Sequence, residues 1–142
     1  MHSHDADTLK KAGLKATPVR LLVLAVLGKA SKPLSVKDLV KGLSKKDSSI
    51  DTVTVYRTIK SFEDTGVVRS LSLGGDALLY ELESDHHHHI VCLSCGLIEA
   101  FDACAFAKLG DSILKGSRKF ASITRHSFEL FGTCRSCSLS KR

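Results

Sequence analysis

No apolar run in this chain approaches the ~20 residues that cross a bilayer, and its start, Met1-His2-Ser3-His4-Asp5, lacks a signal peptide's charged and apolar regions. A cytoplasmic protein with no membrane association is expected. There is also no Gly-rich phosphate loop, no Ser/His/Asp arrangement with a local signature and no catalytic carboxylate pair. These absences argue against an enzyme. Acidic residues are scarce over one long stretch: from Leu9 to Lys46 there are ten Lys or Arg and a single acid, Asp38. The net charge of +6 is therefore unevenly placed. Nucleic acid is the partner such a segment suits, although a solvated basic face has the same composition.

What the chain does hold is thiols and imidazoles. The run His86-His87-His88-His89-Ile90-Val91-Cys92-Leu93-Ser94-Cys95 joins a histidine cluster to a CxxC, and Cys134-Arg135-Ser136-Cys137 supplies a second pair. Thiolate sulfur and neutral imidazole are the ligands that Zn²⁺ and similar cations prefer, and a two-residue gap lets both sulfurs of a pair face one ion. Thiols in a reducing compartment serve as ligands more often than as disulfides, and Cys104 is left outside the two pairs. Two alternatives stand beside metal binding. A CxxC can be a redox dithiol, and four histidines can form a polar loop. With 142 residues the chain can hold one ordinary core or two small modules, the smaller of which a metal would help to stabilise.

The first half reads as helical and organised by caps. Thr17-Pro18 starts a helix in which Val19, Leu22, Val23, Val26 and Leu27 recur at helical spacing and which Gly28 closes. Ser35 caps a second helix, Val36 to Leu43. A third runs from Asp51 or Thr52 to Thr65, with Val55, Ile59 and Phe62 inward and Gly66 at its end. Strands are expected at Val67 to Leu73 and Ala77 to Leu82, joined at Gly74-Gly75-Asp76. This is the pattern of a winged helix-turn-helix, whose last helix enters a major groove and here presents Thr52, Thr54, Tyr56, Arg57 and Lys60. Alternatively Tyr56 is a core aromatic and Arg57 a surface helix former. Beyond Ser84-Asp85, strands are expected at Ile90-Val91, Leu97 to Phe101 and Ala121 to Phe131, with a helix from Phe106 to Lys115. The fold class is α+β, divided into residues 1–83 and 84–142.

Gly13-Leu14-Lys15-Ala16-Thr17-Pro18-Val19-Arg20, Asp51-Thr52-Val53-Thr54-Val55-Tyr56-Arg57-Thr58-Ile59, Asp85 to Cys95 with Gly96, and His126-Ser127-Phe128 leading to Cys134 occur in the order of the ferric uptake regulator (Fur) family. The chain resembles that family from about Leu9 to Cys137. The resemblance implies a homodimeric, metal-dependent transcription factor, by default a repressor, with an N-terminal winged-helix DNA-binding domain and a C-terminal dimerisation domain. Double-stranded operator DNA is the implied partner, and metal at an interdomain site sets the dimer geometry for binding it. By position, Cys92, Cys95, Cys134 and Cys137 match the family's structural zinc site. Glu81, His87 and His89 match its regulatory ligands, and His86, His88 and His126 a second metal site. The period of two along an extended segment agrees, since it sends His87 and His89 one way and His86 and His88 the other. The DNA contacts carried over are Lys15, Tyr56 and Arg57, with Thr54 and Arg20 as additions.

The departures concern ligands. Where many members place a histidine before the second helix, this chain has Lys32-Pro33-Leu34, and the usual later acid falls near Ala100 or Ala107, with Glu99 and Asp102 off register. Cys104 lies close by, either as a soft ligand or as a small buried hydrophobe. The regulatory cation is open among Fe²⁺, Mn²⁺ and Zn²⁺, because affinity order does not choose between them. A peroxide- or zinc-sensing member of the family is one alternative function. A zinc-binding thiol redox protein is another, and neither it nor a zinc buffer accounts for the Asp51 to Ile59 segment.

Overall fold

Capping residues decide where the helices of the first half begin. Thr17 takes an extended conformation, its hydroxyl accepts from the backbone N–H of Arg20, and Pro18 opens the helix Pro18–Lys29. Ser35 and Asp38 form a capping box, each side chain accepting the other's backbone N–H at 3.1 Å, and this starts the helix Val36–Ser44. The Asp51 carboxylate accepts from the N–H of Thr54 at 2.6 Å and starts Thr52–Asp64. That helix ends where Gly66 takes a φ of +71°, a left-handed turn that a glycine makes at no steric cost.

A computed structural model describes residues 2–83, 86–102, 104 and 106–140. In chain order the elements are α1 (His2–Lys11), α2 (Pro18–Lys29), β1 (Leu34–Ser35), α3 (Val36–Ser44), α4 (Thr52–Asp64), β2 (Val68–Leu71), β3 (Leu79–Leu82), β4 (His88–Cys92), β5 (Ile98–Phe101), α5 (Phe106–Gly116), β6 (Glu129–Gly132) and α6 (Arg135–Leu139). They divide into two compact units, residues 1–84 and 85–142. The expected boundary falls at Ser84 and Asp85, which lie outside the described residues.

In the first unit the apolar stripes of α2, α3 and α4 meet in one core. Val23, Leu39, Leu43, Val55, Ile59 and Phe62 are almost wholly buried there, each worth roughly 1.5–3 kcal/mol of transfer free energy. The antiparallel sheet β1-β3-β2 closes it, with Tyr80 paired to Leu34 on one side and to Ser70 on the other. Strand β1 is additional to the expected pair, and three further features depart from expectation. Helix α1 is additional, and its Leu9 is fully buried in the core. Gly28 does not close α2, which continues to Lys29 before Ala30 turns extended. The wing strands are shorter than Val67 to Leu73 and Ala77 to Leu82, because pairing stops at Leu71 and Leu79, and Gly74 at φ +78° turns the chain between them.

The second unit is a three-stranded sheet in the order β5-β4-β6, antiparallel between β4 and β5 and parallel between β4 and β6. The expected strand from Ala121 to Phe131 is confined to Glu129–Gly132. A ladder needs a partner, and β6 finds one only along His89 to Cys92 of β4. Burial is thin in this unit: Val91 and Cys92 are its buried apolar residues among those described. Ile90, Leu93, Leu97, Leu109, Ile113, Phe120, Leu130, Phe131 and Leu139 are exposed. Ile90 and Leu130 stand side by side in the β4–β6 register, so part of this apolar surface is continuous.

Candidate metal centres and nucleic-acid interface

The two CxxC pairs are prepared by different elements. Cys92 ends β4, and the turn behind it is fixed by hydrogen bonds from the Cys92 N–H to the Leu97 carbonyl and from the Gly96 N–H to the Cys92 carbonyl, both 2.8 Å. Gly96 sits at φ +73°, and the hairpin into β5 brings Cys95 beside Cys92. Cys134 precedes α6 and Cys137 lies three residues on in its first turn, a spacing that puts both sulfurs on one face. The parallel pairing of β6 with β4 then brings the pairs together. All four sulfurs lie within 4.8 Å of one another, and Cys95 Sγ and Cys134 Sγ are 3.7 Å apart. A tetrahedron with Zn–S near 2.3 Å has an edge of about 3.8 Å, so number, chemistry and spacing fit a closed zinc site.

Protons are unevenly held in this cluster. The backbone N–H of Cys134 donates to Cys92 Sγ at 3.2 Å, and with the backbone N–H groups of Cys95 and Ser94 it pulls the Cys92 thiol down to about 6. Cys137 is pushed up to about 12, chiefly by hydrogen bonding to the neighbouring Cys134 and Cys95 sulfurs and then by burial. One sulfur is ready as thiolate, and crowding holds a proton on another. A divalent cation relieves that crowding.

The histidines separate as the strand period requires. The rings of His87 and His89 are 5.0 Å apart on one side, while those of His86 and His88 are 4.5 Å apart on the other. His126 joins the second pair: its Nε2 is 3.1 Å from His86 Nε2, which is 2.9 Å from His88 Nε2. Its ring stacks on Phe106 at 3.8 Å between centroids, and Phe128 packs against both His88 and His126. Cys104, which the expectations left between two roles, is exposed, with its sulfur 3.3 Å from His126 Nε2. The small buried hydrophobe is thereby excluded. Ala100 lies opposite His89 on β5, so no carboxylate comes from that position.

Glu81 belongs to the first unit, where Arg69 faces it across the β2–β3 ladder. Arg69 Nε and Nη2 both lie 2.6 Å from Glu81 Oε1, with both side chains largely buried. Nothing in the sequence pattern marked Arg69, because its relation to Glu81 is a cross-strand one.

On α4 the expected inward residues are buried and Tyr56 is 56% exposed, which excludes a core aromatic. Arg57 is exposed beside it and Thr54 is half-buried. Lys60, offered as a phosphate contact, pairs with Asp64 at 2.9 Å and Glu63 at 3.5 Å. Arg20 donates to the Lys15 carbonyl at 3.0 Å, which holds the exposed Lys15 loop against α2. No helix among the described residues is long and apolar enough to cross a membrane.

Comparison with known proteins places this geometry. The model of the ferric uptake regulator family matches residues 11–131, a span that includes both histidine pairs and stops before Cys134. The ferric uptake regulation protein of Klebsiella pneumoniae is 38% identical over 133 residues, covering 89% of this chain and 81% of that protein. The crystal structure of the Vibrio cholerae ferric uptake regulator superposes with a TM-score of 0.77 at 34% identity, covering 91% of this chain and 98% of that one. The Helicobacter pylori regulator, described as having three functional metal-binding sites, superposes at 0.79 with 26% identity over 96% of this chain and 90% of its own. The chain belongs to the ferric uptake regulator family, and it is a metal-responsive, DNA-binding transcription regulator rather than an enzyme.

Proposed function

We propose that this chain is a cytoplasmic homodimeric repressor whose hold on double-stranded operator DNA follows the occupancy of its histidine-containing metal sites. The observation that carries the reading is the division of labour along one short run. The sulfurs of Cys92 and Cys95 close on Cys134 and Cys137, while the imidazoles before them pair off to opposite sides as His87 with His89 and His86 with His88. Bound to the four sulfurs, Zn²⁺ supplies a closed cross-link with no open coordination position. Cys92 and Cys95 then fasten the turn after β4 to the segment that opens α6. A unit with little buried apolar surface gains folding free energy in this way.

Glu81 from the first unit and His87 and His89 from the second supply the regulatory ligands, following their correspondence to the family's positions. At this site Fe²⁺, Mn²⁺ or Zn²⁺ supplies the positive charge that makes a carboxylate and two imidazoles one ligand set. Occupancy favours one arrangement of the units, because ligands drawn from both are satisfied together only there. His86, His88 and His126 form the second site. The exposed Ile90, Leu109, Ile113 and Leu130 fit a second copy of the same unit, since apolar surface of this extent marks an interface. In each protomer Tyr56, Arg57 and Thr54 of α4 read the major groove, and Lys15 and Arg20 contact the backbone beside it.

The test is a set of variants of the zinc-loaded dimer. His87→Ala, His89→Ala and Glu81→Ala each abolish metal-stimulated binding to the operator while size-exclusion chromatography still reports a dimer. A variant of all three positions that retains full metal stimulation contradicts the assignment.

A further inference from the structure

Four ligand atoms from three separate segments converge in the second unit: one ring nitrogen each of His86, His88 and His126 and the Cys104 sulfur, all within 4.8 Å of one another. Two successive nitrogen–nitrogen contacts of 2.9 and 3.1 Å and a sulfur–nitrogen contact of 3.3 Å link them. Each neutral imidazole carries one N–H and one lone pair, and a thiol is a weak donor. A hydrogen-bonded group of this kind has no need to collect four ligand atoms at one point, whereas a tetrahedral cation uses all four.

We infer that Cys104 supplies the fourth ligand of this site, making it a closed centre of three imidazoles and one thiolate selective for a thiophilic divalent cation of the zinc type. This rests on the reading of His86, His88 and His126 as a metal site and extends it. Soft sulfur favours zinc-like cations, whereas among the described residues no carboxylate of the kind that suits Mn²⁺ joins the cluster. Four protein ligands also leave no position for water, which fits a tightly held ion. The surroundings support the geometry. His88 is 3% exposed, the His126 ring is stacked on Phe106, and Phe101 and Phe128 pack against His88, so the imidazoles are held in place. Cys104 and His86 are the exposed members, so the thiol lies on the solvent side of the cluster. Cys104 lies between Phe101, the end of β5, and Phe106, the start of α5, so its ligation fixes the link from sheet to helix.

The experiment uses the full-length dimer with zinc retained on the four-cysteine site, titrated with Co²⁺. The wild-type chain develops thiolate-to-cobalt charge-transfer absorption together with the intense visible bands of a tetrahedral ion. Cys104→Ser loses the charge-transfer absorption and binds Zn²⁺ at this site at least roughly tenfold more weakly, the loss that removing a mere outer-shell partner already causes. Cys104→Asp keeps a ligand and shifts the preference from Zn²⁺ toward Mn²⁺, a readout that a purely structural role would not move. Charge-transfer absorption that persists unchanged in Cys104→Ser overturns the thiolate assignment and leaves the histidine site standing. A cobalt stoichiometry untouched by both His126→Ala and Cys104→Ser overturns the site itself, and the inference with it.

Discussion

Arg69 holds Glu81: its Nε and Nη2 both approach one carboxylate oxygen at 2.6 Å, from the directly opposite position on the wing. The carboxylate proposed as a metal ligand is thus already engaged by a cation of the protein. A guanidinium competes with a metal for the same lone pairs and repels it by charge. Arg69→Gln should tighten binding of the regulatory cation by about threefold to tenfold, the scale of one partly screened neighbouring charge. Competition against a fluorescent chelator measures this. Unchanged or weaker binding in a folded variant contradicts the competition.

The cysteine cluster makes a prediction about protons. Cys92 is ionised above about 6, so at neutral pH it surrenders no proton when zinc binds, while Cys137, held near 12, surrenders one in full. Zinc binding to the stripped chain should therefore release fewer than four protons at pH 7.5, as read from the buffer dependence of the binding enthalpy. Affinity falls as pH is lowered, because protons compete with the cation for the remaining thiols. The fall steepens below about 6, where Cys92 is protonated as well. Release of four protons at pH 7.5 would show that Cys92 is not preset as thiolate.

Tyr56 is exposed on the first half of α4 and contributes little to the core. Tyr56→Ala should leave thermal stability nearly unchanged, weaken specific operator binding by roughly tenfold, and leave binding to random DNA almost intact. Equal losses on both sequences in a titration at one salt concentration would make it a phosphate-side contact.

Leu9 gives α1 a structural purpose. It is fully buried against the core of the first unit, and Leu9→Ala should cost about 2–5 kcal/mol of that unit's stability. Loss of the Ser35 hydroxyl from the capping box in Ser35→Ala should cost about 1 kcal/mol. Urea unfolding monitored on the first unit ranks the two, and a Leu9→Ala effect no larger than the cap's would show that α1 is not part of the core.

What the sequence disclosed was local. Ser35 with Asp38, Asp51 before α4, and Val55, Ile59 and Phe62 at helical spacing are relations within a few residues, and the structure follows them. Helix α1 was not legible, since Leu9 is the apolar anchor of an otherwise polar stretch ending in two lysines. The strand expected over Ala121 to Phe131 was too long because composition does not say where a partner strand ends. In the metal sites, alternation foretold how the histidines divide. The place of Cys104 depended on the packing of three segments distant in sequence, and Arg69 on a strand register.

The central claim is that metal occupancy, beyond structural zinc, controls DNA binding. Fluorescence anisotropy of a labelled operator with the zinc-loaded dimer, titrated with Fe²⁺, Mn²⁺ and Zn²⁺ at fixed salt, tests it most directly, since phosphate contacts make any affinity salt-dependent. The account predicts that at least one cation raises operator affinity on the order of tenfold or more, a coupling of about 1.4 kcal/mol, and that a chelator reverses it. Equal operator affinity with and without every cation would contradict it.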